Sequence, residues 1–197
     1  MKEHRLRQIF WRRNLTRIFT TLKEQWIPEG LQGPGLVTDL YDESLYDDYL
    51  LKPLVPPANA WIGMDLSFDT AASAKARLRD AGAPLKSVVV NDLRHLPFRE
   101  GAFSYIVSHS SLDHFKDRGT IGQSIREMHR VLKQGGTLII TLDNPQNPVV
   151  FVRNFLPLLL LSTFRVVPYP IGTTISARRL LELLQESGFT SRNSAFI

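Results

Sequence analysis

Hydrophobic and polar residues follow two different periods along the chain. Short, largely apolar runs predict five β-strands, at Leu36–Leu40, Ala60–Met64, Ser87–Asn91, Phe103–Ser108 and Thr137–Leu142. Between and after them, apolar residues at every third or fourth position predict helices. These helices lie near Leu45–Leu54, Thr70–Ala81, Thr120–Leu132 and Ser176–Ser187, which leaves Phe189–Ile197 for a sixth strand. Short apolar strands that alternate with helices predict an α/β fold with a mostly parallel sheet and helices on both faces.

The first residues of the chain form a separate pattern. Residues 1–27 repeat apolar side chains at the helical period and contain seven basic and two acidic residues, which accounts for the whole net charge of +5. We predict a basic amphipathic helix in residues 1–30 and a domain in residues 31–197. This helix either packs its apolar stripe on the domain or makes peripheral contact with an anionic membrane surface. The neutral remainder of the chain argues against a nucleic-acid partner.

Composition excludes several classes of protein. The 197 residues contain no cysteine, which rules out disulfides, thiolate metal sites and a cysteine nucleophile. No apolar run reaches the roughly 20 residues of a membrane-spanning helix, so we expect a cytoplasmic protein, with membrane contact only at its periphery. The apolar residues 149–172 are interrupted by Arg153 and Pro157. They predict either a lid or insertion over a pocket for an apolar ligand, or a buried helix.

Acidic residues stand at or just past the carboxyl ends of the first three predicted strands, at Asp39, Asp65 and Asp92. In open parallel sheets, ligands bind outside these ends. Asp65 can accept hydrogen bonds from ribose hydroxyls, and Asp92 from an exocyclic adenine amine while Leu93 covers the ring. The alternative is that these acids cap helices or lie in solvated loops.

Four stretches together resemble the class I S-adenosylmethionine-dependent methyltransferases. They are Gly63-Met64-Asp65-Leu66-Ser67, Asp92-Leu93 followed by Leu96-Pro97-Phe98, Phe103–Ser108, and the Glu-x-x-Arg-Val-Leu-Lys-x-Gly-Gly run in residues 127–136. The resemblance covers residues 36–145 and is closest to the small-molecule branch, which includes quinone-biosynthesis methyltransferases. It implies a Rossmann-like sandwich that binds S-adenosyl-L-methionine.

The resemblance also implies a set of cofactor-binding residues, and the chain departs from the family at two places. The cofactor-binding set is Thr38, Asp39, Asp65, Leu66, Asp92, Leu93 and His109. The family's first-strand loop is rich in glycine, whereas residues 36–43 contain none and match no family motif. On chemical grounds Thr38 and Asp39 can still hydrogen-bond the cofactor's cationic amine, and the alternative is that the acids here favour the N-terminus of the next helix. The family's sheet ends with two further strands, and residues 189–197 suffice for one.

The chemistry implied is an in-line displacement on a sulfonium, for which a protein mainly orients the acceptor and excludes water. Asp113 and His114, after the fourth strand, are the best acid–base pair, with capping and loop hydrogen bonding as the alternative. No metal site is expected. We therefore expect methyl transfer to a small apolar acceptor. A catalytically inactive binding module of the same fold is the alternative. A nicotinamide-dependent oxidoreductase comes third, because no G-x-G-x-x-G follows the first strand.

Overall fold

The computed structural model describes residues 2–27, 29–46, 49–55, 59–115, 117–143 and 175–191, without the side chains of residues 2–12 and 14. The helices are α1 (Lys2–Gln25), α2 (Tyr41–Leu45), α3 (Phe68–Asp80), α4 (Arg118–Val131) and α5 (Ala177–Glu186). The strands are β1 (Gly35–Thr38), β2 (Trp61–Asp65), β3 (Leu85–Val90), β4 (Phe103–His109) and β5 (Leu132–Thr141).

The five strands form one sheet in the order β3-β2-β1-β4-β5, and each neighbouring pair is parallel. This order places the reversal of winding between β1 and β4, where the chain moves from one half of the sheet to the other. The sheet tolerates no side chain at Gly35 of β1, because a Cβ there would lie 2.0 Å from the ring of Tyr105. The predicted α/β fold with a parallel sheet is confirmed.

Two hydrophobic clusters cover the two faces of the sheet. One cluster joins α1, α3 and residues 49–55 to the face that contains Val37, Tyr105 and Val107. The other joins α4 and α5 to the face that contains Leu36 and Ile106. Side chains alternate between the faces along a strand. The alternation continues beyond Val107, so Ser108 lies on the face towards α4 and His109 on the face towards α1.

Helix α1 is built into the first cluster by its carboxyl-terminal half. Leu15, Phe19 and Leu22 recur at helical spacing and are 2%, 1% and 6% exposed. This face packs with Tyr49 and Leu54. The described part of the chain contains no helix that is both long and apolar enough to cross a membrane. The predicted amphipathic helix is therefore present, and part of its apolar stripe is core.

Capping side chains fix where α3 and α4 begin. The hydroxyl of Ser67 accepts the Thr70 amide, and the carboxylate of Asp117 accepts the Thr120 amide. Each cap satisfies a backbone donor that has no partner inside its helix. Because the cap of α3 lies two residues after Asp65, it also sets the loop that follows β2.

The helix predicted at Leu45–Leu54 is wrong. Helix α2 begins earlier and ends at Leu45, and Tyr46 has an extended backbone. Residues 50–54 form turns, in which the amides of Leu54 and Val55 both donate to the carbonyl of Leu51 at 2.9 Å. Pro53 lacks the amide that a helix needs there. The apolar spacing reflects burial of these turns.

Two further predictions fall outside the described residues. The apolar segment 149–172, predicted as a lid or insertion, lies within the undescribed residues 144–174. Of the predicted sixth strand, residues 192–197 also lie outside, and residues 189–191 form no strand. The division into residues 1–30 and 31–197 stays a prediction.

Candidate functional site

The carboxyl ends of β1, β2 and β4 gather a cluster of charged side chains. It contains Asp39, Asp42, Glu43, Asp65, His109 and His114, which we call the edge cluster. Parallel pairing of β1 with both β2 and β4 brings these ends together. Carboxylates outnumber imidazoles four to two, so the cluster favours a cationic or hydroxyl-bearing ligand. Among the described side chains, no group of three or more is arranged to hold a metal ion.

Asp65, the last residue of β2, holds the loops that follow β1 and β2. Its Oδ2 accepts the Leu40 amide at 2.9 Å, and its Oδ1 accepts the Ser67 amide at 2.8 Å. Burial raises the pKa of this carboxyl, against the lowering effect of the two amides. Each oxygen keeps one further acceptor position, since a carboxylate offers about four. Asp65 can therefore anchor its loops and still receive hydroxyl donors.

Asp39 follows β1 with a left-handed backbone, at φ 67°. Glycine adopts this conformation freely, and aspartate is among the few other residues that tolerate it. The Asp39 amide continues the β1–β2 ladder by donating to Met64 O at 3.0 Å, and its Oδ1 accepts the Tyr41 amide at 3.0 Å. The chain thus turns sharply here without glycine and presents a carboxylate in the turn.

His114 forms an ion pair with Asp39, with 3.5 Å between Nε2 and Oδ2. It is the last residue of a short 3₁₀ turn, Leu112–His114. Its side chain is 46% exposed and that of Asp39 is 16% exposed. The hydrogen bond to Asp39 raises the pKa of the His114 imidazole, and the charges of Asp113 and Asp65 add to this. His114 therefore readily holds a proton at the mouth of the cluster.

His109 forms a second, enclosed ion pair with Asp42. Nε2 lies 3.5 Å from Asp42 Oδ2, while Nδ1 lies 2.6 Å from Thr141 Oγ1. The ring of Phe19 packs edge-on against the imidazole, with 5.8 Å between centroids. Burial acts to lower the pKa of His109, but hydrogen bonding and charge from Asp42 outweigh it, and the net direction is upward. Each nitrogen of this histidine has a defined partner.

Glu43 adds a buried carboxyl beside this pair. It is 5% exposed, and burial, followed by the charge of Asp42, raises its pKa to about 7. A carboxyl in such surroundings holds its proton far more readily than one in water. The enclosed side of the edge cluster can thus take up or release a proton near neutral pH.

Asp92, in the loop after β3, binds its own neighbour. Both of its carboxylate oxygens accept hydrogen bonds from Arg94, and these bonds lower the pKa of Asp92. Leu93 is buried, with 6% exposure. The side chain of Asp92 is 23% exposed, so part of the carboxylate still faces outward.

Helix α4 ties this loop down from the other side. Arg130 donates to the carbonyls of Leu96 and Phe98 at 2.9 and 2.8 Å, and Glu127 Oε2 accepts the Leu96 amide at 2.8 Å. The bond from Arg130 lowers the pKa of Glu127. The Glu-x-x-Arg of the sequence motif is therefore a clamp on the loop that carries Asp92.

The remaining predicted site residues occupy different parts of the same edge. Thr38 is buried, and its hydroxyl lies 2.6 Å from that of Ser111. Leu66 is 72% exposed at the rim. Asp113 is buried and accepts the Asp143 amide at 3.1 Å. His114 forms its ion pair with Asp39, and the charge of Asp113 also raises the pKa of His114, so the predicted Asp113–His114 pair stays a prediction.

Sequence reasoning missed the contacts that hold the histidines in place. Thr141, which positions His109, carried no signal beyond its place at the end of a strand. Phe19 belonged to a helical stripe that gave no sign of reaching the site. Asp42 and Glu43 were visible only as acids near the first loop.

Comparison with known proteins shows that part of the chain is similar to methyltransferases. Residues 48–140 match the family model of a methyltransferase domain. The chain is 28% identical over 136 residues to an arsenite methyltransferase of Aquipseudomonas alcaligenes, across 63% of this chain and 38% of that protein. It is 25% identical over 154 residues to a demethylmenaquinone methyltransferase of Lactococcus lactis, across 72% and 60% respectively. The chain thus spans less than two thirds of either relative.

A solved structure shows the same fold. The N-methyltransferase NodS of Bradyrhizobium japonicum, in complex with S-adenosyl-L-homocysteine, superposes with a TM-score of 0.60 at 16% identity, over 88% of this chain and 73% of that one. Residues 48–140 of this chain thus match a methyltransferase domain, and its fold is that of a solved S-adenosylmethionine-dependent methyltransferase. The resemblance stated from its sequence motifs is confirmed. The chain departs from that family by an aspartate turn at Asp39 in place of a glycine-rich first loop.

Proposed function

We propose that this protein transfers a methyl group from S-adenosyl-L-methionine to a small, apolar molecule. One observation carries the proposal: Asp39, Asp65 and Asp92 stand at or just past the carboxyl ends of three adjacent parallel strands, along one edge of the sheet. That edge is where sheets of this topology bind ligands. The family match makes the nucleoside cofactor the natural ligand of those carboxylates.

The polar groups of the edge fit the cofactor's donors. Both oxygens of Asp65 have capacity for the ribose hydroxyls beyond their two backbone partners. The outward part of Asp92 can accept from the adenine amine, beside the buried Leu93 and the exposed Leu66. Asp39 would pair with the ammonium group. Thr38 of β1 and His109 of β4 would complete the set of cofactor-binding residues.

When bound, the cofactor supplies an electrophilic methyl group on a positively charged sulfur. The chain's own residues then have to bind, orient and exclude water. The half-exposed His114 can hold or accept a proton at Nε2 from an acceptor that carries one. The enclosed His109 is suited to shaping the site, because both of its nitrogens have partners.

One feature supports a small acceptor, and a second supports an apolar one. The curated relatives are named for arsenite and for demethylmenaquinone, both small molecules. The strongly apolar sequence of residues 149–172, which lie outside the described part of the chain, favours a lipophilic acceptor. A panel of quinones and other lipophilic hydroxyl compounds, compared with polar amines, tests this choice. Faster turnover of the polar amines would overturn it.

The cofactor itself is tested by calorimetric titration with S-adenosyl-L-homocysteine. Asp65→Asn should weaken binding about tenfold to a hundredfold, or roughly 1.5–3 kcal/mol, the range for hydrogen bonds to a charged group. Asp80→Asn at the end of α3 is the matched control and should bind like the wild type. Because Asp65 also accepts two amides, the unfolding of each variant is measured in parallel. A folded wild type that binds no cofactor would overturn the cofactor assignment, and cofactor binding without turnover would favour the inactive module.

A further inference from the structure

The proposed function needs the Asp39 carboxylate to be available for the cofactor's ammonium group. In this structure the imidazole of His114 already lies against that carboxylate. We propose that protonated His114 occupies Asp39 as a stand-in for the cofactor's ammonium group, and that cofactor binding displaces it. This rests on the proposed function and adds a property to it. Two observations support the proposal. His114 and Asp39 form an ion pair at 3.5 Å, and Asp39 lies at the end of β1.

The two partners of this pair are held very differently. Asp39 is fixed by the backbone, because its amide joins the ladder and its Oδ1 accepts the Tyr41 amide. His114 lies at the end of a three-residue 3₁₀ turn, after which the backbone becomes extended at Phe115. With 46% of its side chain exposed, against 16% for Asp39, the imidazole is the partner that can move away.

The charged groups that act most strongly on the imidazole are carboxylates. They are Asp39 at the end of β1, Asp65 at the end of β2 and Asp113 in its own turn. All three favour its charged form. A ligand ammonium that takes over Asp39 removes the strongest of these influences and adds a positive charge nearby. The imidazole then loses its proton to solvent, so binding and deprotonation are linked.

The linkage has a definite sign. Below the raised pKa of His114, the ligand competes with the imidazolium for Asp39, and above that pKa it does not. Affinity for an ammonium-bearing ligand should therefore increase with pH, by up to tenfold per pH unit for a single released proton. A ligand without the ammonium does not compete, and its affinity should stay constant.

The test is calorimetry of the full chain with two probes over about pH 6 to pH 8.5, a range around the ordinary imidazole pKa. S-adenosyl-L-homocysteine carries the ammonium, and 5′-methylthioadenosine lacks the amino acid part. Each titration is repeated in two buffers of different ionisation enthalpy, which counts the protons released. His114→Asn removes the stand-in cation. His129→Asn is the matched control, since His129 lies in α4 against Phe189.

We expect the wild type and His129→Asn to bind S-adenosyl-L-homocysteine about tenfold more tightly at the upper end of this range, with proton release near the His114 pKa. His114→Asn should lose the pH dependence and proton release that titrate with His114, and combining it with Glu43→Gln, which removes the carboxyl with a pKa of about 7, should leave the affinity constant over this range. Equal pH dependence for both probes, or an unchanged slope in His114→Asn, would overturn the proposal. A folded protein that binds neither probe would instead overturn the cofactor assignment, and with it this inference.

Discussion

Two histidine–aspartate pairs lie at the same edge of the sheet with the same separation, 3.5 Å, and different surroundings. In the first, His109 and Asp42 are 12% and 11% exposed, Thr141 holds the second imidazole nitrogen, and Phe19 covers the ring. In the second, the side chain of His114 is 46% exposed. Distance alone does not distinguish them.

Burial and the number of hydrogen-bond partners distinguish the two pairs. An enclosed charge that loses its partner stays out of water, so breaking such a pair is costly. A half-exposed imidazole regains water when its partner is taken, so the net contribution of the pair is small. We infer that the enclosed pair, His109–Asp42, fixes the architecture of the edge. The open pair, His114–Asp39, is the one that can exchange partners.

The largest effect should come from removing the cover of the enclosed pair. Phe19→Ala deletes a side chain that is 1% exposed, and we expect a loss of about 3–5 kcal/mol in the free energy of unfolding. Denaturant unfolding followed by circular dichroism measures it. Arg17→Ala, on the exposed side of the same helix, should change stability by less than about 0.5 kcal/mol. Equal effects would place α1 outside the core.

The next effect concerns the carboxyl beside the enclosed pair. Folding raises the pKa of Glu43 from 4.5 to about 7, so the folded state holds this proton where the unfolded state has lost it. Stability from Glu43 is full below pH 4.5 and is lost as the pH rises through about 7. The raised pKa of His109 acts with the same sign.

Glu43→Gln should therefore flatten the pH profile of stability. We expect the variant to exceed the wild type by up to roughly 3 kcal/mol near pH 8, and to match it near pH 4.5. Unfolding midpoints across this pH range measure the difference. Glu24→Gln, exposed on α1, is the control and should follow the wild-type curve. A variant as pH-sensitive as the wild type would contradict the assignment of the slope to Glu43.

A third prediction compares the two pairs directly by double-mutant cycles. From the free energies of unfolding, we expect a coupling energy of about 2 kcal/mol between His109 and Asp42. Between His114 and Asp39 we expect a coupling energy below about 1 kcal/mol. Alanine replacements, singly and together, supply both cycles at neutral pH. If the open pair proved the more strongly coupled, the assignment of structural and exchangeable roles would have to be reversed.

The smallest effect should come from the second partner of His109. Thr141→Val keeps the shape and removes a hydrogen bond, so we expect a loss of about 1 kcal/mol in the free energy of unfolding. Thr137→Val is a matched control, since Thr137 lies four residues earlier on β5 and is exposed. If both variants were as stable as the wild type, or if both lost the same free energy of unfolding, Thr141 would not support the pair.

The sequence allowed prediction of the sheet and of the acids along its edge because both depend on local pattern. Short apolar runs predicted strands β1 to β5, and Asp39, Asp65 and Asp92 lie at or just past the ends of the first three. The helix predicted at Leu45–Leu54 was wrong because burial gave the turns of this segment a helical spacing.

Partner choice within the site was beyond local pattern. Thr141 meets His109 across 32 positions of the chain, and Phe19 reaches it from the first helix. Both contacts arise from packing of β4 between β1 and β5 and of α1 on their face. For the same reason, no pattern in the sequence indicated the contact between His114 and Asp39, which the fold brings together from the segments that follow β4 and β1.

The central claim is that the edge cluster binds the cofactor through its open pair while its enclosed pair stays fixed. Nuclear magnetic resonance of the imidazole groups tests it most directly, since the chain has five histidines and single variants assign them. On saturation with S-adenosyl-L-homocysteine, the pKa of His114 should fall and its resonances should shift, while the pKa of His109 should stay the same. Shifts at His109 with none at His114, or at neither, would contradict the account.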